Sequence, residues 1–496
     1  MTNIYSSSII RGLQSRAGRD MLKRRTELKK VRKQSVMLDR NIAAEVLARA
    51  VKTGGDFAEI FLEDNVSTSI TLKSDRIESL GTSRMHGAGI RVFEGTKAIY
   101  VFTNDTSREG LLDCAAQAAA AVRSGRSCTP VDFSSWSAVR AEEIRILPGD
   151  TAAERKAEKL RAANAAARAV SPEIVQVNCG YGDIVQDVLI CNTEGVFVTD
   201  RRVRSRIRIA AVASDGTENQ TGTSSPGASM GFEVFEERID PETCGRTAAE
   251  KAVTMLHADP CPAGVWPAVI DGGFGGVIFH EACGHSLEAT SVAYGVSEFS
   301  GKLGQQIAAP CVTAVDDGTI PGEWGSIHID DEGMPSSRLT LIENGILVNY
   351  MIDKLGGRRM NIAPTGSGRR ESYQWAPTSR MRNTYIAAGS DDEAEMIATM
   401  GTGLYAKSLG GGSVNPATGE FNFSVQEGYW VEDGKIMRPV RGASLIGKGS
   451  EVLMRIDRVG KKMTMAQGMC GSASGSIPVN VGQPMIRISR ITVGGK

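Results

Sequence analysis

His280-Glu281-Ala282-Cys283-Gly284-His285 places two of the chain's five histidines around a glutamate, directly after the glycine-rich Asp271-Gly272-Gly273-Phe274-Gly275-Gly276. The apolar lead-in Val277-Ile278-Phe279 and the continuation Leu287-Glu288-Ala289 read as a helix. On it, neutral imidazoles reach a common ion, and zinc is the usual ion for such ligands. A zinc-protease helix carries His-Glu-x-x-His, with its histidines four residues apart on one face. Here the second histidine lies five residues on. At about 100° per residue that is a net turn of about 140°, so a straight α-helix aims the two rings apart. The metal reading therefore predicts that the extra residue is absorbed by a π-bulge or a break, with Gly284 the place for it. The competing reading keeps both histidines as helix surface or hydrogen-bonded core and leaves Glu281 solvated. A third ligand separates the two readings, and there are two candidates. Glu288 lies about one turn beyond His285. Cys470 lies in Gly468-Met469-Cys470-Gly471, whose glycines permit close approach to an ion. Periodicity does not choose between them.

At 496 residues the chain is too long for one core and should divide into two or three domains. Its 41% hydrophobic and 23% charged residues are those of a globular protein. Lys+Arg and Asp+Glu both number 57, so no whole-chain field argues for nucleic acid or a membrane surface. No apolar run approaches the ~18 residues that span a bilayer, and the start lacks the apolar core of a secretory signal. Nine cysteines without paired spacing point to a reducing compartment, hence a cytoplasmic protein.

Residues 1–36 read as a basic, disordered leader outside the fold, or as residues upstream of the true start at Met37, ahead of the alternative of an organelle transit peptide. Residues 37–125 read as an N-terminal α+β domain. It has a helix with Ile42, Val46, Leu47 and Ala50 on one face, a strand in which Ala58, Ile60 and Leu62 alternate with Glu59, Phe61 and Glu63, and a capping box at Thr106 and Glu109. Residues 126–260 form a middle α/β segment. A second capping box stands at Thr151 and Glu154, and Asp240-Pro241 opens a helix ending near His257, which reads as a dipole partner. Within this segment Arg202, Arg204, Arg206 and Arg208 share one strand face, which reads as solvated, the sharper alternative being a site for an acidic peptide or partner. Residues 261–496 read as a mostly β, glycine-rich C-terminal domain carrying the metal helix. Asn344-Gly345 marks a type I′ hairpin there. His328 or Asp330 could approach the site, though half-buried strand is the plainer role for His328, and Tyr350, Tyr373 and Tyr385 are structural hydroxyls by default. Gly442 to Gly449 imitates a phosphate-binding loop but ends in glycine where that motif needs Ser or Thr, so it reads as a turn.

Three segments together resemble the TldD/PmbA family of metallopeptidases. They are the His280-Glu281…His285 stretch, Pro377-Thr378-Ser379-Arg380-Met381-Arg382-Asn383-Thr384-Tyr385-Ile386, and Gly468-Met469-Cys470-Gly471 leading to Gly482-Gln483-Pro484. The likeness is to the TldD side, whose subunit carries His-Glu-x-x-x-His where its PmbA (TldE) relative lacks it, and it runs from about Met37 to the C-terminus. The resemblance implies a zinc peptidase with His280, His285 and Cys470 as ligands and Glu281 as general base, which favours Cys470 over Glu288. It also implies unfolded or leader-bearing peptides as substrates, and either a PmbA/TldE-type partner subunit or a homodimer. Two histidines and a thiolate would leave zinc a position for water, the mark of a catalytic site. The rival expectation is a non-catalytic, zinc-stabilised subunit of a heteromeric assembly; a hydrolase of another amide or ester is a third.

Overall fold

Alternation along the first long strand sets up the N-terminal half. The computed structural model describes residues 38–495 apart from 123–124, 126–127, 131, 138–142 and 416–417; the leader expected over residues 1–36 lies outside the described residues. Helix α1 (Arg40–Ala50) is capped by the Asp39 carboxylate and buries Val46, Leu47 and Ala50 as its periodicity predicts, with Ala43 buried in place of the expected Ile42, which is partly buried. Strands β1 (Phe57–Lys73), β2 (Arg76–Glu94) and β3 (Lys97–Thr103) follow, then helix α2 (Arg108–Ala120). The cap of α2 is Ser107, whose hydroxyl accepts from Gly110 N, one residue later than the expected Thr106. Helix α3 (Ala153–Arg168) starts after Ala152 without a side-chain cap, so the Thr151 capping box does not form. Strands β4 (Ile174–Asn192), β5 (Val196–Ser214) and β6 (Asn219–Ser224) lead to helix α4 (Pro241–Leu256), which Asp240 caps as expected.

β1 pairs antiparallel with both β2 and β4, and β4 with β5, so strands from residues 37–125 and 126–260 form one sheet. The even-numbered side chains of β1 face the helices. Ala58, Ile60 and Leu62 pack with α1 and α2, while Ile70 and Leu72 pack with α3 and α4. Over the first half of β1 the odd-numbered face is not solvated, although Ser69 and Lys73 farther along are exposed. Phe61 joins Val188, Ile190, Ile329 and Tyr373 in a cluster against the C-terminal half. Glu59 and Glu63 on the same face are fully buried, Glu59 between Arg91 and Arg370 and Glu63 accepting from Tyr373 N at 2.8 Å.

The arginine row of β5 meets the same neighbour, which corrects the solvated-face expectation. Arg202 is buried between Asp200 at 3.2 Å and Asp331 at 2.6 Å, and Arg204 donates to the carbonyls of Trp324 at 2.9 Å and Ser326 at 3.1 Å. Only Arg208 is exposed, because the 324–331 segment, which supplies these acceptors, lies over the first half of the row.

The C-terminal half is mostly β, as expected. Strands β7 (Gly264–Ile270), β8 (Ala314–Asp317), β9 (Arg338–Glu343), β10 (Asn383–Ile386), β11 (Gly403–Val414), β12 (Glu420–Glu432), β13 (Ser444–Lys448), β14 (Thr464–Ser472), β15 (Gly475–Gln483) and β16 (Ile486–Gly494) divide between two sheets. The order β11-β7-β16-β13-β12 closes on itself, because β11 also pairs with β12. The second sheet runs β9-β8-β10-β15-β14, with β14 at its edge. Asn344 and Gly345 both take positive φ (48° and 85°) in the hairpin after β9, which matches the type I′ reading. The phosphate-loop look-alike is a turn at Gly442 followed by β13.

Arg382 bolts β10 to β8. Its guanidinium and backbone N–H both reach the buried Asp316 carboxylate at 2.7 Å. Arg382→Met should cost roughly 3–5 kcal/mol, because it strands the Asp316 charge in the core; a urea melt followed by circular dichroism should show a correspondingly lower midpoint.

Candidate metal centre

The glycines ahead of the motif bring it onto the second sheet. A Cβ on Gly276 would lie 2.5 Å from the backbone of Gly482 on β15, so only glycine lets the helix start rest there. Gln483 side-chain Nε2 donates to the Asp271 carbonyl at 3.1 Å, which links the Gly482-Gln483 segment to the same turn. A short α-helical piece at Val277–Phe279 then widens into a π-helical turn over His280–Gly284. The His285 N–H donates to the His280 carbonyl five residues back, and this absorbs the extra residue as the metal reading predicts. The rings of His280 and His285 stand 5.2 Å apart between centroids. Gly284 is the tight point: a Cβ there would fall 2.3 Å from Met381 Sδ. That contact also explains why the 377–386 segment belongs with the helix.

Cys470 comes from the edge strand β14, opposite Ile477 of β15. Its Sγ lies 3.4 Å from His280 Nε2 and 3.2 Å from His285 Nε2. These three candidate ligand atoms all lie within 4.8 Å of one another. Arg380, fully buried, holds the hairpin behind them by donating to the carbonyls of Cys470 and of Gly475 and to Ser474 Oγ. Trp324 Nε1 donates to the Gly468 carbonyl at 3.0 Å.

Charge at this cluster suits a cation. Burial by itself raises the Cys470 pKa, but the adjacent His280 and His285 imidazoles outweigh it and hold the thiol down to about 3. Burial also opposes charge on His285, yet the Glu288 carboxylate and the Cys470 sulfur raise its pKa well above the usual histidine value. A thiolate beside two imidazoles is a donor set that a divalent cation fits, and uptake of the cation would release the proton that His285 holds.

Glu288, the other candidate third ligand, lies behind the ring. Its Oε2 accepts from His285 Nδ1 at 3.1 Å, while Nε2 faces Cys470. This corrects Glu288 from candidate ligand to partner of a candidate ligand. With the ring neutral, a proton kept on Nδ1 by Glu288 would leave the Nε2 lone pair to a cation. The sequence signal was the three-residue spacing from His285, but the chain turns extended at Glu288 (φ −79°, ψ 137°), which helical periodicity does not foresee. Glu288→Gln should weaken metal affinity about 10–100-fold, read by competition against a chromogenic chelator. Glu281 stays on the open side, 29% exposed, with Oε2 3.7 Å from His285 Nε2.

The remaining candidates stand elsewhere. His328 pairs with Asp200 at 3.1 Å on β5, and Asp330 accepts the backbone N–H groups of Glu332, Met334 and Gly368. His257 caps α4 and pairs with Glu173 at 2.9 Å. Tyr350 donates to the Phe299 carbonyl at 2.5 Å, and Tyr373 packs between the two halves. Tyr385 lies beside Arg338. None of these joins the His280, His285 and Cys470 group among the described residues.

The sequence matches the first, central and C-terminal domain models of the PmbA/TldA metallopeptidases over residues 58–122, 146–256 and 263–495. A metalloprotease TldD homolog of Haemophilus influenzae is 36% identical over 449 residues, covering 89% of this chain and 93% of that protein. A metalloprotease of Methanothermobacter thermautotrophicus is 33% identical over 445 residues, covering 89% of this chain and 96% of its own. Among solved structures, TldE from Thermococcus kodakarensis superposes with a TM-score of 0.73 at 18% identity, covering 91% of this chain and 100% of that one. A Thermotoga maritima protein does so with a TM-score of 0.75 at 22% identity, covering 92% and 99%. At these identities the two structures speak for the fold.

Proposed function

The chain belongs to the PmbA/TldD family of metallopeptidases, and from that premise we propose that it is a zinc peptidase acting on unfolded or leader-bearing peptides. One observation carries the reading: His280 Nε2, His285 Nε2 and Cys470 Sγ converge within 4.8 Å, with the Glu281 carboxylate 3.7 Å from His285 Nε2.

His280, His285 and Cys470 hold the ion. Zinc, when bound, polarises the scissile carbonyl and lowers the pKa of a water toward ~7. Glu281 accepts the proton of the attacking water and delivers it to the leaving amine nitrogen. Its partial exposure keeps the carboxylate free for that traffic. Glu288 holds the proton on His285 Nδ1, and Arg380 keeps the Cys470 backbone in place. The position of β14 at its sheet edge supports recognition of the substrate as an extended strand, a mode that tolerates many sequences but requires an unfolded chain.

A PmbA/TldE-type subunit, or a second copy of the chain, completes the working assembly in this reading. The nine free cysteines support a reducing, cytoplasmic setting. The balanced charge argues against nucleic acid as a partner, and among the described residues no helix is long and apolar enough to cross a membrane.

The test is to purify the chain with and without a co-expressed PmbA-type relative, then measure zinc per chain and cleavage of an unstructured peptide. About one zinc per chain together with cleavage is the expected result. Zinc without cleavage in either preparation overturns the proposal in favour of a non-catalytic, zinc-stabilised subunit.

A further inference from the structure

A cleft of about 490 Å3 opens where β5 and α4 meet the C-terminal strands, with Phe274, Leu409 and Met469 among its walls. Its charged lining residues, among those described, are Arg206, Arg208 and Lys251, and no carboxylate lines it. Two buried cations elsewhere on the same sheet are matched by carboxylates: Arg91 by Glu59 and Glu332, and Arg202 by Asp200 and Asp331.

The three cleft cations lack such partners. Arg206 donates to the Ser225 carbonyl at 3.4 Å and stacks on the Trp324 ring at 5.4 Å. Lys251 Nζ reaches Ser408 Oγ at 3.1 Å and the Thr223 carbonyl at 3.4 Å. Arg208 has no hydrogen-bond or ion-pair partner among the described residues. The carboxylate that acts on Lys251, Glu427, is itself held by Lys407 at 2.7 Å and by the Tyr429 hydroxyl at 2.8 Å. Burial, and after it the neighbouring Arg208 charge, push the Arg206 pKa down to about 10, so the two guanidiniums feel each other uncompensated.

The cleft adjoins the metal centre through β14. Gln467, Gly468 and Met469 line it and Cys470 follows at once. Three residues of extended strand span about 10 Å, the length of β14 from Cys470 back to the cleft-lining Gln467, so a peptide running along this edge strand from Cys470 would enter the cleft within a few residues. We propose that this cleft selects peptides by a carboxylate, on an acidic side chain or at the free C-terminus, a few residues from the bond to be cut. That the bound chain is then hydrolysed rests on the peptidase reading above. Arginine forks match a carboxylate with two parallel hydrogen bonds, and the half-open setting makes the attraction sensitive to salt.

The test uses the zinc-loaded chain with its co-expressed relative and three quenched, unstructured peptides: one with Glu and a free C-terminus, one with Gln in place of Glu, and the Gln peptide with its C-terminus amidated. We expect kcat/KM for the Glu peptide to exceed that for the amidated Gln peptide about tenfold at low salt; the intermediate peptide tells which carboxylate is read. The ratio should fall toward one in Arg208→Gln and in Lys251→Gln. It should fall below one in Arg208→Glu, whose carboxylate repels that of the Glu peptide. Equal ratios in the wild type and these variants overturn the inference. If no peptide is cleaved, anisotropy of the same labelled peptides decides: charge-selective binding lost in Arg208→Glu upholds the cleft while sinking the peptidase reading, and charge-blind binding overturns the cleft.

Discussion

Glu281→Gln should leave zinc bound and reduce turnover about 10²–10⁴-fold, the usual worth of a positioned general base. The substitution keeps the side chain's size and its place on the π-turn but removes the proton acceptor. The three candidate ligand atoms belong to other residues, His280, His285 and Cys470, so metal content measured by atomic spectroscopy should match the wild type. The carboxylate sits beside His285 Nε2 rather than sequestered in the core, so the folded state has little to lose, and a thermal melt should shift little. Cleavage at wild-type rates would remove Glu281 from the mechanism. Loss of zinc in the variant would instead mark it as a ligand.

Cys470→Ala should empty the centre. The thiolate is the one anionic member of the three-residue group, held so by two imidazoles, and without it the group offers a cation only two imidazole nitrogens. The loss of affinity should exceed the ~10–100-fold that an outer-shell partner costs, so zinc per chain drops from about one to near zero after dialysis, and cleavage goes with it. Cys470 packs with only Ile477 and Val479 in a small cluster near the sheet edge, so far-ultraviolet circular dichroism should be preserved. The opposite pattern, with zinc kept in Cys470→Ala but lost in Glu288→Ala, would restore the His/His/Glu set that periodicity had left open.

Much of the centre was legible in the order of residues. Five-residue spacing between His280 and His285 forbids a straight α-helix with converging rings, and the π-turn is the local remedy for that one geometric conflict. Local patterning likewise marked α1, α4 with its Asp240 cap, and the Asn344-Gly345 turn, because these depend on contacts a few residues away. The capping boxes at Thr106 and Thr151 failed by small shifts in where the helix begins, a choice that local spacing constrains only loosely.

The arginine row and the alternation of β1 show where such reasoning stops. Period-two patterning states that Arg202 and Arg204, or Glu59 and Glu63, share a face, and polar character then suggests water. Those faces are dry because another part of the chain, residues 324–373, lies over them and supplies a partner for each charge.

From the sequence alone came a histidine helix that has to depart from α geometry, the alternating strands, and, through the resemblance, a family with its ligands and its candidate base. That Cys470 Sγ stands within 3.4 Å of both histidine Nε2 atoms, that Glu288 lies behind a ring, and that three cations share one cleft were decided only by tertiary structure. The reason is physical: periodicity reports which side of an element a residue occupies, whereas ligation, pairing and desolvation depend on what distant segment packs against that side.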